Sequence, residues 1–409
     1  MQQASGFPSV RGLSWVTALC LLGDAMLYIV LPLYWDQFGL DALWQVGVLL
    51  SINRFIRLPL NPLVGWLYIR VPKRIGVVIA AAAAVATTIG YGLVSGFVPF
   101  LIARMVWGAA WSMLRIGGYL TVLEAAGQDG PRGKLLGSYN GIIGVGSLIG
   151  MLAGGMLAEV LGPREVALML GIVTAAGLPL AWRHVPATTA AVPGSARSAP
   201  LWKLPPAGWL PLLSGFLTAA VFMGMLLATL SPLIASHLPG STELLGLAVG
   251  AATVAGAVQA LRWGWSPFLS PWFGRLSDGP SGRLPLYLAA LALAAGGFAL
   301  LPLGMPLAAW LTVLLSVMLA NTAITTLTDA LAADAASGRS AAAYMTTYTT
   351  VVDIGAAAGP LAAYALAGTF GLGAVSFTCA ALMALVASAW LLYGRSRDVA
   401  IIKKRPFLS

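Results

Sequence analysis

Two arginines and two asparagines stand where an apolar helix is expected. Asn53, Arg54, Arg57 and Asn61 lie inside residues 47–74, GVLLSINRFIRLPLNPLVGWLYIRVPKR, a stretch otherwise apolar enough to enter a bilayer. Asn53, Arg57 and Asn61 recur at i, i+4 and i+8 and so share one helical face. Arg54 lies about 100° further round, within reach of Arg57. A guanidinium at bilayer depth must face protein or a water-filled cavity, because exposing it to lipid costs several kcal/mol. One buried carboxylate cannot satisfy this many polar groups. The face therefore reads as an anion-binding site, with a structural ion-pair network as the alternative.

A carboxylate is available. Asp24 sits mid-way along the first apolar span, in GDAMLYIVLP, and shares a face with Tyr28 and Trp35. A lone carboxylate in hydrocarbon takes up a proton, whereas a neighbouring arginine favours the charged form. A group held between these two pulls can carry protons, so Asp24 is the expected proton carrier. The alternative is a permanent brace to Arg57 or Arg54. Further on, Arg104, Trp107, Trp111, Arg115 and Tyr119 recur along one broad helical face. Alternating aromatic planes and guanidiniums suit a flat, partly anionic ligand, through stacking, cation–π contact and two-pronged carboxylate binding. Plain helix packing is the alternative for the two tryptophans.

The second half of the chain is less charged. It offers Gln259 and Arg262, then Asn321, Thr325, Thr328 and Asp329, then Tyr344, Tyr348, Thr349 and Asp353. Asp353 is the second expected coupling acid, and Asp329 reads as a gate residue. The expected solute contacts are Arg54, Arg57, Arg115, Trp111, Tyr28, Asn61, Tyr348 and Asn321. Glu124 and Asp334 fall at segment ends, where a solvated or latch role is the default.

The elements that must hold these residues are transmembrane. The chain has 409 residues, 59% hydrophobic and 9% charged, with a mean hydropathy of +0.88. A soluble protein carries about 25% charged residues. A span needs roughly 20 apolar residues, and twelve such segments fit: 13–37, 43–68, 74–95, 97–124, 133–161, 164–184, 208–237, 243–272, 283–303, 305–334, 340–368 and 371–394. Cys20 and Cys379 lie inside apolar runs and suggest neither a metal site nor a disulfide. The two histidines, His184 and His237, lie near span ends on opposite sides. No pattern of a metalloprotease, an activated nucleophile or a phosphate-cradling loop is present, so neither an enzyme nor a cofactor is expected. The net charge of +10 is no nucleic-acid footprint. Seventeen of the 23 lysines and arginines fall in one set of connecting segments and Arg164 alone in the other. The positive-inside rule then places both termini in the cytoplasm.

Residues 185–207, VPATTAAVPGSARSAPLWKLPPA, form the one long polar break and read as a flexible linker. The expected organisation is a six-helix bundle over 1–184, the linker, a second six-helix bundle over 208–394 and a basic tail over 395–409. The halves match in places. A shift of 209 brings Gly47 onto Gly256, Pro62 onto Pro271, Gly65 onto Gly274, Tyr139 onto Tyr348, Gly146 onto Gly355 and Gly150 onto Gly359. A shift of 200 brings Pro32 onto Pro232, and it sets Gly224 opposite Asp24. Two parallel six-helix repeats are a transporter signature.

These features together resemble the major facilitator superfamily. That family carries Gly-x-Leu-x-Asp-Arg-x-Gly-Arg-Arg/Lys between its second and third helices. Gly274, Leu276, Asp278 and Arg283 resemble it well; Gly65, Leu67, Arg70, Lys73 and Arg74 resemble it with Ile69 in place of the Asp. Arg104 and Gly108 are similar to the family's Arg-x-x-x-Gly pattern. Gly146, Gly150, Gly154 and Gly155 are similar to its antiporter glycine pattern without the proline. The resemblance implies an all-α fold of twelve helices in two pseudo-symmetric bundles, with Gly65, Arg70, Arg74, Gly274, Asp278, Arg283 and Arg104 in gate or structural roles. It implies a multi-pass protein of a bacterial cytoplasmic membrane, expected as a monomer. Its partners would be a small-molecule substrate, H+ and lipid, with no nucleic acid. Export of an amphipathic carboxylate by proton antiport is the preferred expectation. Proton-coupled uptake of an anionic nutrient or metal chelate is the alternative, and a non-transporting membrane scaffold the second.

Overall fold

The computed structural model describes residues 6–126, 132–189, 206–238, 242–244, 247–278, 282–336 and 341–403. Most of the expected linker and the end of the basic tail lie outside the described residues. Prolines set several of the helix boundaries. Helix α1 (Gly6–Val30) stops short of Pro32, because a proline disfavours helical backbone in the residue before it. Helices α2 (Leu43–Phe55) and α3 (Arg57–Arg70) are two parts of the expected second span, parted at Ile56. Pro59 has no N–H to give to the Phe55 carbonyl, so the ladder fails at that turn. Helices α4 (Lys73–Leu93), α5 (Phe97–Ala126) and α6 (Arg132–Leu161) follow unbroken. Helices α7 (Pro163–Ala175) and α8 (Gly177–His184) are parted at Ala176, one turn before Pro179.

In the second half, α9 (Pro206–Thr218) runs through a π-helical stretch, Ala219–Leu226, into α10 (Leu227–Ala235). A short antiparallel ribbon pairs β1 (Thr242–Leu244) with β2 (Leu247–Val249), Thr242 opposite Val249. Helices α11 (Ala251–Ser277), α12 (Arg283–Leu300), α13 (Leu307–Ala335), α14 (Ala341–Phe370) and α15 (Leu372–Lys403) complete the chain.

Ten helical stretches among the described residues are long and apolar enough to cross a bilayer. The other two expected spans fall short of that standard, and the one expected over 243–272 opens with the β ribbon and is helical only from Ala251. Residues 43–70 are interrupted and polar, and α11 carries Arg262, Arg275, Pro267 and Pro271. Large apolar side chains face outward, Ile172, Phe268 and Leu392 among them. That surface is suited to lipid, and the chain is an integral, multi-pass membrane protein.

The chain forms two compact units. The first is Met1–Ser195 with Leu226–Gly264 and Pro360–Gly368; the second is Ala196–Met225, Trp265–Gly359 and Thr369–Ser409. In the first unit, α6 lays Gly146, Gly150 and Gly154, one turn apart, on Ala18, Leu22 and Met26 of α1. Small residues let backbones approach where lipid offers no hydrophobic drive. The repeat is visible in the same unit. A Cβ on Gly47 would lie 3.0 Å from the Pro360 carbonyl, and one on Gly256 would lie 2.6 Å from that of Met151. Both members of this pair of contacts are related by the 209-residue shift, so the repeat is built into the packing.

In the second unit, α12 packs on α13 and α15. Trp390 anchors α15 by donating its indole N–H to Ser214 Oγ at 2.8 Å, with its ring edge-on to Tyr287. Gly224 meets Gly359 backbone to backbone: a Cβ on Gly224 would lie 2.5 Å from the Gly359 Cα. Nothing there can move aside, and overpacking costs about 1–3 kcal/mol or more. Gly224→Leu is therefore expected to remove the monodisperse peak in size-exclusion chromatography. Gly296→Leu is expected to leave it intact, because a Cβ at Gly296 meets nothing within 4 Å.

Candidate functional site

The polar cluster of the first unit forms where α1, α2 and α5 meet. The Arg-x-x-x-Gly spacing on α5 explains it. At Gly108 the missing side chain admits the α2 backbone; a Cβ there would lie 2.6 Å from the Asn53 carbonyl. One turn earlier on both helices, Arg104 Nε donates to the Leu49 carbonyl at 2.9 Å. The same guanidinium forms an ion pair with Asp24 through Nη1. Asn53 Nδ2 also donates to Asp24 Oδ1, at 3.4 Å. Arg104 is fully buried and Asp24 is 8% exposed. The Tyr28 ring centroid lies 5.9 Å from the Arg104 guanidinium, and the Tyr28 hydroxyl accepts from Arg54 Nε at 3.4 Å. Asp24 and Tyr28 are one turn apart on α1, so a single helical face carries the pair and its link to Arg54.

Asp24 thus has a brace in Arg104, a partner that the sequence did not suggest for it. Arg104, which the motif resemblance placed among gate and structural residues, lies in the centre of the polar cluster. Asn53 Oδ1 and Arg104 Nη2 are buried and have no hydrogen-bond partner among the described residues. The Tyr91 hydroxyl, buried near Arg104, is likewise without a partner among the described residues.

The remaining candidates divide. Arg54 ends α2 and Arg57 begins α3, on either side of the break at Ile56; Arg57 and Asn61 are half-buried. The expected stripe is thus split, with Asn53 in the ion-pair cluster. Trp107 is buried in the core with Leu114 and Tyr139, and Trp111 packs against the same cluster with its ring 6.0 Å from that of Trp107. Trp107 thus serves in helix packing, and Trp111 is only partly buried beside it. Arg115 is exposed and donates to the Tyr119 hydroxyl at 3.2 Å. It lies three turns from Arg104, about 16 Å along the helix. Trp35 falls beyond the end of α1 and so off the Asp24 face.

In the second unit, Tyr348 donates to Asp329 Oδ1 at 2.6 Å. Asn321 is buried, and its Oδ1 has no partner among the described residues. Asp353 is half-buried on α14. Asp24 has no ionisable counterpart: the matching position is Gly224.

The loop motifs form ion pairs as well. Arg70 stacks over Trp66 at 3.8 Å, and Arg74 Nε donates to the Val185 carbonyl at 2.8 Å. Lys73, buried, pairs with Glu124, which also accepts from Thr188 Oγ1 at 3.2 Å. Glu124 is thus the carboxylate that pairs with the first-half motif, where Ile69 has none. In the second half Arg283 pairs with Asp278 at 3.2 Å and with Asp334 at 2.8 Å. A Cβ at Gly65 or Gly274 would meet nothing within 4 Å, so neither glycine is held there by local packing.

One carboxylate went unnoticed in the sequence. Glu159, near the end of α6, accepts from Gly250 N at 2.8 Å, Thr253 N at 3.0 Å and Thr253 Oγ1 at 2.5 Å.

The sequence pattern of the Major Facilitator Superfamily matches residues 13–348. The chain belongs to that superfamily. Solved structures agree with the fold. A bacterial homologue of the human lysosomal transporter Spinster, inward-facing and unoccupied, has a TM-score of 0.71 at 15% identity over 98% of both chains. The same protein's occupied, inward-facing form gives 0.69 at 16%, covering 94% of this chain and 96% of that one. A POT family transporter in complex with 5-aminolevulinic acid gives 0.73 at 12% over 96% of each chain. A search of curated protein sequences found no match. At these identities the major facilitator fold is shared, and no residue role is carried across.

Proposed function

We propose that this major facilitator is a proton-coupled secondary transporter of a small amphipathic solute bearing a carboxylate or similar anionic group. It would lie in a bacterial cytoplasmic membrane with both termini inside. The buried Asp24–Arg104 pair, linked through Tyr28 to Arg54, carries this reading. A proton delivered to Asp24 neutralises the one carboxylate of the cluster and releases the hold on Arg104 and Asn53. The cluster, already net positive through Arg104, Arg54 and Arg57, then becomes one charge more positive. An anion arriving beside Arg54 and Arg57 offsets that added charge, so proton and solute favour one another's binding. Reciprocal coupling of this kind is linkage between two sites. It makes the two travel together, which under an inward proton gradient is uptake. The POT family relative is in complex with 5-aminolevulinic acid, so this fold can hold a small carboxylate.

Export by proton antiport, the expectation from the sequence, is the second reading. The glycine face of α6 on α1 supports it, as the resemblance to the antiporter pattern does. The sign of the proton movement separates them. With purified protein in vesicles holding a pH-sensitive dye, adding candidate amphipathic carboxylates outside is expected to acidify the lumen. Alkalinisation would establish antiport instead. No pH change with any solute, while the solute itself enters, would remove proton coupling altogether.

A further inference from the structure

We infer that Glu159 is a gate latch, present in only one of the two interfaces that the repeat creates. The start of α11 explains why. Gly250 precedes the first helical residue, Ala251, at the position where a Ser, Thr, Asp or Asn side chain normally accepts from the third amide of the helix. Glycine has no such side chain. Glu159 supplies it from α6: one oxygen takes the Thr253 amide and the other the Gly250 amide and the Thr253 hydroxyl. The carboxylate also sits at the positive end of the helix dipole. A bond that most helices make within one chain segment here ties the end of α6, from the first half of the sequence, to the start of α11, from the second.

The 209-residue repeat provides an internal comparison. Below the latch, Gly256 lies on the Met151 carbonyl. In the matching interface Gly47 lies on the Pro360 carbonyl, so the helix crossings correspond. The latch does not. The position matching Glu159 is Gly368, and those matching Gly250 and Thr253 are Asp41 and Trp44. At that helix start, Gln45 Oε1 accepts from the Asp41 amide at 2.8 Å within the same short segment. The glycine crossing is therefore packing common to both interfaces, and the Glu159 cap is an addition to one. Parting α6 from α11 at this end strips three hydrogen bonds from a carboxylate. Parting α2 from α14 costs no such cap. The latch thus favours the closed arrangement of the α6–α11 end, and its release accompanies opening there.

The inference rests on the chain being an alternating-access transporter, and its test is made without a substrate. Met151 is buried against α11 and both native cysteines are buried. Met151→Cys therefore reports on separation of α6 from α11, through its reaction with a membrane-impermeant maleimide applied from the side of Leu161 and Gly250. In that background Glu159→Ala is expected to raise the labelling rate about tenfold, the equivalent of one net charge-assisted hydrogen bond. Glu159→Gln, with half the acceptor capacity, and Thr253→Val, which removes only the hydroxyl, are expected to give smaller rises. Gln45→Ala is expected to give none. Water can take over the freed amides at a helix end, so the variants should remain folded, which size-exclusion chromatography checks. Unchanged labelling in folded Glu159→Ala and Glu159→Gln overturns the latch. The proton-flux measurement stands or falls separately, because it does not involve this end of α6.

Discussion

Asp24→Asn is expected to abolish proton-driven accumulation while exchange of labelled for unlabelled solute continues. The asparagine keeps the size of the side chain and an oxygen for Arg104 and Asn53, but it cannot bind and release a proton at working pH. A coupling residue should therefore lose the gradient dependence and retain the passage. Arg104 gives the matching test of architecture. Arg104→Gln leaves Asp24 buried without its ion-pair partner. Breaking a buried pair by removing one partner costs about 3–5 kcal/mol; Asp24→Asn bears part of that cost too, through the buried Arg104, so its exchange is read per folded molecule. Arg104→Gln alone is expected to lower the yield of folded protein severely. Asp24→Asn with Arg104→Gln is expected to restore it, because no uncompensated charge is left, and the double-mutant cycle measures that coupling. Arg57→Gln should give no such rescue. If Asp24→Asn protein is folded and still concentrates solute against a gradient in response to a proton gradient, Asp24 is not the carrier.

Much of the architecture was legible because a bilayer restricts what a chain can do. A run of about 20 apolar residues has to be a helix, since lipid offers its backbone no other partner. The repeat was legible for a related reason. Gly47 and Gly256 each pack closely against a carbonyl of the other half, where a larger residue would crowd the contact. Helix breaks were less visible. Pro59 and Pro62 stand among apolar residues, and hydropathy alone reads straight through Ile56.

The site was half legible. Mid-membrane Asp24, Arg54, Arg57 and Arg104 announce themselves by cost, because each needs a reason to be there. Their pairing could not be read, because it depends on which helices touch. The Arg-x-x-x-Gly spacing held the answer: Gly108 brings α5 against Asn53, and Arg104 then reaches both Leu49 and Asp24. The role of Trp111 was not legible, because an aromatic beside an arginine looks the same in sequence whether it lines a cavity or fills a core. Glu159 was missed because an acid beside Gly162-Pro163 resembles any loop acid. The available signal was indirect: Gly250-Ala251-Ala252-Thr253 opens a long helix with no cap of its own.

Arg57→Lys is expected to weaken binding of the carboxylate solute by about 10- to 100-fold with near-normal expression. The substitution keeps the charge but loses the planar donor fork that matches a carboxylate, and a charge-assisted hydrogen bond is worth about 1.5–3 kcal/mol. Arg57 is half-buried at the start of α3, beside the break at Ile56, where a shorter, flexible ammonium would be held less firmly than the planar guanidinium. Arg54→Lys should cost less affinity and more proton coupling, because Arg54 is tied to Tyr28 and through it to the Asp24–Arg104 pair. Arg115→Lys should be milder still, since Arg115 is exposed and already engaged with Tyr119. Titration calorimetry of the three variants against one amphipathic carboxylate ranks them. If the purified protein binds a lipophilic cation as tightly as any carboxylate, and does so unchanged after Arg57→Ala, the solute is not an anion. The two arginines at the break of the second span would then be architecture, and the Asp24–Arg104 cluster would have to account for coupling without them.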